Sequence, residues 1–237
     1  MGKEIEKVAL QKGHEIVLKI NNENLHELSN ENLAKADVAI EFSMPSTVMQ
    51  NITMCADIGL PIVVGTTAWY DQFEKVSKYV ESKNASLFYA TNFSIGVNLF
   101  FKINEIAASL MKDFNYRLSI DEIHHTQKLD APSGTAITTA ERILKHYPHL
   151  KNWSNKIVTK EEPKLDKNLA NSELLIRSIR EDAVPGTHTT YYDSDVDTIA
   201  ISHIAHNRVG FAEGAVVAAE WLKDKKGIFT MSDLLSL

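Results

Sequence analysis

A single cysteine, Cys55, removes disulfide bridging from the account, because a bridge needs two thiols in the chain. It sits in the apolar run Met54-Cys55-Ala56, where a buried, reduced thiol is the expected state. Positive charge is also scarce: 25 Lys and Arg stand against 31 Asp and Glu, a net charge of -6 with a pI near 5.8. A nucleic-acid binder would carry a basic stripe, and none is present, so no nucleic-acid partner is expected. No apolar run reaches transmembrane length and no signal peptide is visible, which predicts no membrane partner and a cytoplasmic location. Internal repeats and low-complexity tracts are missing as well. What remains is 237 residues, enough for one large domain or two small ones with ample core.

The first ninety residues alternate between helical and strand patterns. Ile5, Val8 and Ala9 share one face of an expected helix over 2–12, with Gly13 as its stop. Strands are expected at 15–20, 38–42, 61–64 and 86–90, with helices from Pro45-Ser46-Thr47 to about residue 58 and over 70–82. Strand and helix in alternation imply parallel strands with crossover helices, and ligands in such sheets lie beyond the strands' carboxyl ends. After a long helix over 96–111 the grammar changes. Strands expected at 116–123, 173–180, 187–193 and 198–205 enclose one clear helix, which suggests an α+β unit on a mixed or antiparallel sheet. Residues 160–172 are polar and lysine-rich and read as a mobile loop. Helical periodicity returns over 211–225, in a helix expected to pack back on the first domain. The expected fold class is therefore α/β, a Rossmann-like parallel sheet domain at 1–94 and 207–237 joined to an α+β domain at 95–206.

One stretch concentrates chemistry. Residues 122–136 read Glu-Ile-His-His-Thr-Gln-Lys-Leu-Asp-Ala-Pro-Ser-Gly-Thr-Ala. His124 and His125 are adjacent imidazoles that titrate near neutrality, and Lys128 follows one short turn later. Leu118, Ile120, Glu122 and His124 share one strand face, so His125 points the other way unless the strand has ended. Ser133, Gly134 and Thr135 open a helix whose apolar residues Ala136, Ala140, Ile143, Leu144 and Tyr147 recur at helical spacing. Free amides at such a start attract anions. Asp130 is expected to cap this helix ahead of Pro132.

This run resembles the signature of the 4-hydroxy-tetrahydrodipicolinate (dihydrodipicolinate) reductase family of lysine and diaminopimelate biosynthesis. Gly65-Thr66-Thr67, Ala90-Thr91-Asn92-Phe93-Ser94 with Gly96-Val97-Asn98, and His203 through Arg208 with Gly214-Ala215 resemble the same family in order and spacing. The likeness covers essentially the whole chain. It implies a cyclic hydroxylated imine with two carboxylates as substrate, which loses water and accepts a hydride from NADH or NADPH. By the same resemblance His124 and Lys128 are the proton donors, and His125, Ser133, Gly134 and Thr135 bind the substrate. Gly65, Thr66, Thr67, Ala90, Thr91, Asn92 and Phe93 then line the nicotinamide end of the cofactor site, and a homotetramer is implied.

The adenosine end is less regular. A dinucleotide-binding domain opens with a strand and Gly-x-Gly-x-x-Gly, whereas here only Met1-Gly2 precedes the first helix, so that strand and two glycines are missing from the pattern. Where an acidic residue would grip the ribose hydroxyls stand Asn21 and Asn22, which select neither NAD nor NADP by charge. A second reading stays open: a truncated homologue that binds an anionic ligand with little or no turnover. A zinc site at His203 and His206 is not expected, since residues three apart on a strand face opposite ways and Cys55 is remote. His188 and Arg208 are left without a role, Arg208 being suited either to a carboxylate or to a hinge or surface position.

Overall fold

The computed structural model describes residues 1–159 and 172–237. All but the last residue of the loop expected at 160–172 lies outside them. The chain divides into two compact units, one of Met1–Ile95 with Val209–Leu237 and one of Gly96–Arg208.

The first unit is built on four parallel strands in the order β1 (Ala39–Glu41), β2 (Ile62–Val64), β3 (Ser86–Tyr89) and β9 (Gly227–Phe229). Helices α1 (Gly2–Gln11) and α7 (Val209–Leu222) cover one face, where Ile5, Val8, Ala215 and Ala219 pack with Val63 and Phe88. Helices α3 (Val48–Asp57) and α4 (Phe73–Ser82) cover the other, packing Ile52, Cys55, Val76 and Val80 against Ile62, Val64 and Leu87. Successive side chains of β2 thus enter opposite cores, which is why the strand is apolar throughout. Helix α1 stops where Gly13 adopts φ +85 and the His14 amide returns to the Ala9 carbonyl at 3.0 Å. Within α7, a Cβ on Gly214 would stand 1.7 Å from the Phe93 carbonyl oxygen, so only glycine lets the helix approach the turn after β3. Helices α2 (Asn30–Leu33) and α8 (Met231–Leu235) are short, and neither was expected.

The strand expected at 15–20 does not form. A strand exists through its ladder, and none of the described residues pairs with this stretch. Its apolar residues still find the core: Ile16 packs on the α1 and α7 side, Leu18 on the α3 and α4 side.

The second unit holds a five-stranded sheet in the order β5 (Asn152–Ile157), β6 (Glu173–Arg180), β4 (Arg117–His124), β7 (Thr187–Asp193) and β8 (Thr198–Ile204). Strand β4 runs parallel to β6 and antiparallel to β7, so the sheet is mixed. Helix α6 (Gly134–Leu144) lies over Ile120, Leu174 and Ile176 through Ala136, Ala140 and Ile143, together with Ala108 from the long helix α5 (Ile95–Met111). No helix among the described residues is long and apolar enough to cross a membrane.

Candidate active site

The pleat of β4 sets the site. Ile120 lies beneath α6, and two and four residues later Glu122 and His124 continue the same face to where that helix begins. Register brings the neighbours to that face: His188 of β7 and Ser178 of β6 lie opposite Glu122, and Arg180 lies beside His124. Glu122 and His188 are buried, and His124 is 8 % exposed.

Glu122 places Oε2 on Nδ1 of His124 and accepts from Nη1 of Arg180 through Oε1 at 2.9 Å. Burial alone would raise its pKa. The hydrogen bonds from His124, Ser178 and Arg180 outweigh burial and hold the carboxyl down at about 2, so it is ionised at neutral pH. His188 meets the His124 ring edge-on with centroids 5.1 Å apart. Burial first, and the neighbouring His124 second, push the His188 pKa down to about 3, which keeps this imidazole neutral.

The helix start is organised by Ser133. Its Oγ accepts from the Ala136 amide at 3.2 Å and contacts Nε2 of His188 at 2.8 Å. Ser133, not Asp130, is the cap, which corrects the expectation for Asp130. The Asp130 carboxylate instead takes Nζ of Lys128 at 2.6 and 2.7 Å, a charge-assisted pair two residues away that outcompetes a more distant backbone amide. The Ser133 hydroxyl is buried, and its partners within the protein are the Ala136 amide and His188. Gly134 is exposed and Thr135 half-buried, and their amides belong to the first turn, where no intrahelical acceptor exists.

His125 lies one residue past the end of β4 and is half-buried. Its carbonyl accepts the Lys128 amide at 3.1 Å, the short turn that carries the lysine back toward the strand end. Arg180 holds this turn from beneath, donating to the Asp130 carbonyl at 2.8 Å and to the Lys128 carbonyl at 3.4 Å. The arrangement thus unites His124, Lys128 and an anion-attracting helix start at one end of the mixed sheet. The reading of the sequence named Glu122 and His188 without giving either a role, and did not single out Arg180. Glu122 was visible two residues before His124 on its face, whereas Arg180 has no local signal and arrives only through the β4–β6 register.

Among the described residues one set offers three ligand atoms within 4.8 Å of one another, from Glu122, His124 and His188. Each of these residues already makes a hydrogen bond within the protein, while Nδ1 of His188 is buried without one. His203 of β8 lies opposite His188 in the β7–β8 register without joining the set, His206 follows β8, and Arg208 is exposed at the last position of the unit.

In the first unit, Gly65, Thr66 and Thr67 follow β2, and Ala90 to Phe93 follow β3, its parallel neighbour. A cavity of about 330 Å³ opens here, lined by Met1, Phe42, Ser43, Pro45, Gly65, Thr66 and Thr67. Phe42, Ser43 and Pro45 are additions that the sequence reading did not single out. The loops are cross-tied: the Ser43 amide donates to Thr66 Oγ1 at 2.8 Å, and the Gly65 amide to the Glu41 carbonyl at 2.8 Å. A Cβ on Gly65 would lie 2.1 Å from the Phe42 ring, so glycine is required for that ring to stand beside the loop. Phe93 packs on Phe42 and Phe88 beneath, and the Asn92 side chain accepts the Ser94 amide at 2.9 Å. Ala90 is buried and Thr91 exposed.

Comparison with known proteins gives a consistent picture. Residues 1–93 match the family model described as dihydrodipicolinate reductase, N-terminus, and residues 96–235 match that described as dihydrodipicolinate reductase, C-terminus. The chain is 45% identical to a 4-hydroxy-tetrahydrodipicolinate reductase of Christiangramia forsetii, over 100% of this chain and 94% of the relative. Among solved structures, a dipicolinate-bound dihydrodipicolinate reductase from Paenisporosarcina sp. TG-14 superposes with a TM-score of 0.76 at 23% identity, covering 98% of this chain and 94% of that one. An amine dehydrogenase from Mycobacterium smegmatis shares the fold more loosely, with a TM-score of 0.57 at 10% identity over 98% and 92% of the two chains.

Proposed function

Because the chain belongs to the dihydrodipicolinate reductase family, we propose that His124 and Lys128 are its proton donors and that His125, Gly134 and Thr135 hold its substrate. The protein is an oxidoreductase of lysine and diaminopimelate synthesis, reducing (2S,4S)-4-hydroxy-2,3,4,5-tetrahydrodipicolinate to tetrahydrodipicolinate with NADH or NADPH. Over the reaction one hydride and one proton enter and one water leaves.

The observation that carries the assignment of roles is the convergence of His124, Lys128 and the start of α6 at one end of the mixed sheet. A dicarboxylate substrate suits that end, because the first-turn amides of Gly134 and Thr135 attract one carboxylate. The other replaces Asp130 on the Lys128 ammonium, an exchange made easy by the exposure of Asp130. Hydride entry into the conjugated imine leaves electron density on the ring, which an acid must quench. An ammonium and an imidazolium at this place supply that proton.

The cofactor fits the first unit. The cavity lies at the carboxyl ends of β1 and β2, where ligands of parallel sheets bind, and its volume suits the nicotinamide end of a dinucleotide. The reduced nicotinamide supplies the hydride. Gly65, Thr66 and Thr67 line the cavity, Ala90, Thr91, Asn92 and Phe93 follow the neighbouring strand and are proposed to complete the nicotinamide site, and Met1 brings the start of α1 to the cavity for a phosphate. Near the expected ribose end, Asn21 and Asn24 bind each other's loop backbone, and Lys19, the cation beside them, is paired with Glu6 rather than held open for a 2′-phosphate. Both cofactors are accepted on this reading. A homotetramer belongs to it too, supported by the open edge at β8, where Ile199 and Ile204 are exposed.

Mixing the purified chain with each reduced nicotinamide and the hydroxylated imine tests the whole. Oxidation of the nicotinamide on substrate addition is expected with both. Binding of both ligands with no oxidation would refute it and leave a binding homologue without turnover.

A further inference from the structure

We propose that the pair of the buried Glu122 and the half-buried Arg180 is a positioning device: it fixes the ring tautomer of His124, leaving Nε2 as the proton-transferring atom, and ties the Lys128 turn to the same strand end. This rests on the roles assigned to His124 and Lys128 above.

The carboxylate of Glu122 only accepts hydrogen bonds, so the ring nitrogen facing it, Nδ1, carries a hydrogen. In the neutral ring the lone pair then lies on Nε2, and in the charged ring the transferable proton does. The surroundings of Nε2 agree. A Cβ on Gly186 would stand 3.1 Å from it, so the glycine at this position keeps that nitrogen uncrowded.

Arg180 distributes its planar fork over four residues: Nη1 to Glu122 Oε1 and to the Ile179 carbonyl, each at 2.9 Å, Nη2 to the Asp130 carbonyl at 2.8 Å and Nε to the Lys128 carbonyl at 3.4 Å. One guanidinium therefore anchors the carboxylate that orients His124 and the turn that bears Lys128. An ammonium cannot reproduce that fork. Stability alone does not account for the arrangement, since a buried ion pair seldom outperforms apolar side chains of the same volume. One arm ends on the carboxylate that orients His124 and another on the Lys128 backbone, and that is what a positioning role requires.

Ring ¹⁵N spectra of the full chain labelled at histidine read the tautomer directly, with His124 assigned by its absence from a His124→Gln spectrum. The wild type is expected to show Nδ1 protonated at neutral pH. Glu122→Gln is expected to give a mixture of tautomers and to lower kcat about 100-fold, with substrate KM changed less than about threefold. Arg180→Lys is expected to keep the tautomer while kcat falls roughly tenfold through the loosened Lys128 turn. Should Glu122→Gln fail to fold, Glu122→Asp keeps a charge for Arg180 while withdrawing the oxygen from Nδ1, and is read the same way. A wild-type ring protonated at Nε2, or a folded Glu122 variant with tautomer and kcat both unchanged, overturns the proposal. The spectra need no turnover, so failure of the reductase reading would show separately, as absent nicotinamide oxidation by a chain whose tautomer is as expected.

Discussion

Lys128, proposed above as a proton donor, costs the fold little. Its ammonium rests 2.6 Å from Asp130, and the carboxyl of Asp130 is held below the usual range chiefly by that hydrogen bond. Asp130 is 65 % exposed, and a pair of that kind contributes about 1 kcal/mol at most. The pairing therefore parks the ammonium near the start of α6 without locking it. Lys128→Ala is expected to lower kcat by about 100-fold or more, as loss of a general acid does, while the melting temperature moves by about 4 °C or less. Steady-state rates and a thermal melt of the same preparation check both halves. An unchanged rate would take the lysine out of the chemistry.

Helix α6 separates stability from binding within one turn. Ser133 supplies the cap, and its hydroxyl is turned inward to Ala136 and His188, so Thr135 is the neighbouring hydroxyl left nearer the surface. Thr135→Val keeps shape and cap, and should raise substrate KM roughly tenfold with cofactor affinity unchanged. Calorimetric titration with each ligand checks this. If cofactor affinity alone fell, the helix start would face the wrong ligand. The capping residue was only half legible, since Asp130 and Ser133 flank Pro132 and both are good caps. What decided between them was the charge on Lys128, a competition that propensity does not weigh. The same limit explains the strands. Ile62–Val64 was plain because burial on both faces makes a strand apolar throughout. Asn152–Ile157 is half-buried or exposed and polar, and it is a strand only because β6 pairs with it. Residues 15–20 have strand-like composition and no partner, so they form none. Pairing is a property of two segments, and local sequence describes one.

At the scale of the whole molecule, the two units should respond differently to acid, because the strongly shifted buried groups of the active site, Glu122 and His188, both lie in the second. When the chain unfolds, His188 recovers its ordinary pKa of 6.5, whereas folded it resists protonation down to about 3. Below pH 6.5 the unfolded state therefore binds the extra proton, and the second unit loses about 1.4 kcal/mol per pH unit over that window. Glu122 adds to this in the same direction: its folded pKa of about 2 lies below the ordinary 4.5, so its stabilisation is complete above 4.5 and is lost as pH falls toward 2. The chain carries its own reporters, since Trp69 and Trp221 belong to the first unit and Trp153 alone to the second. With fluorotryptophan incorporated, urea titrations followed by ¹⁹F resonances should show the Trp153 midpoint falling as pH drops from 6.5 to 4.5, more steeply than those of Trp69 and Trp221. His188→Gln should flatten that slope for Trp153 while leaving the other two unchanged. Parallel slopes for Trp153 in the variant and the wild type would mean that the buried imidazole plays no part in acid sensitivity, and that the partners of Glu122 alone set the acid limit of this unit.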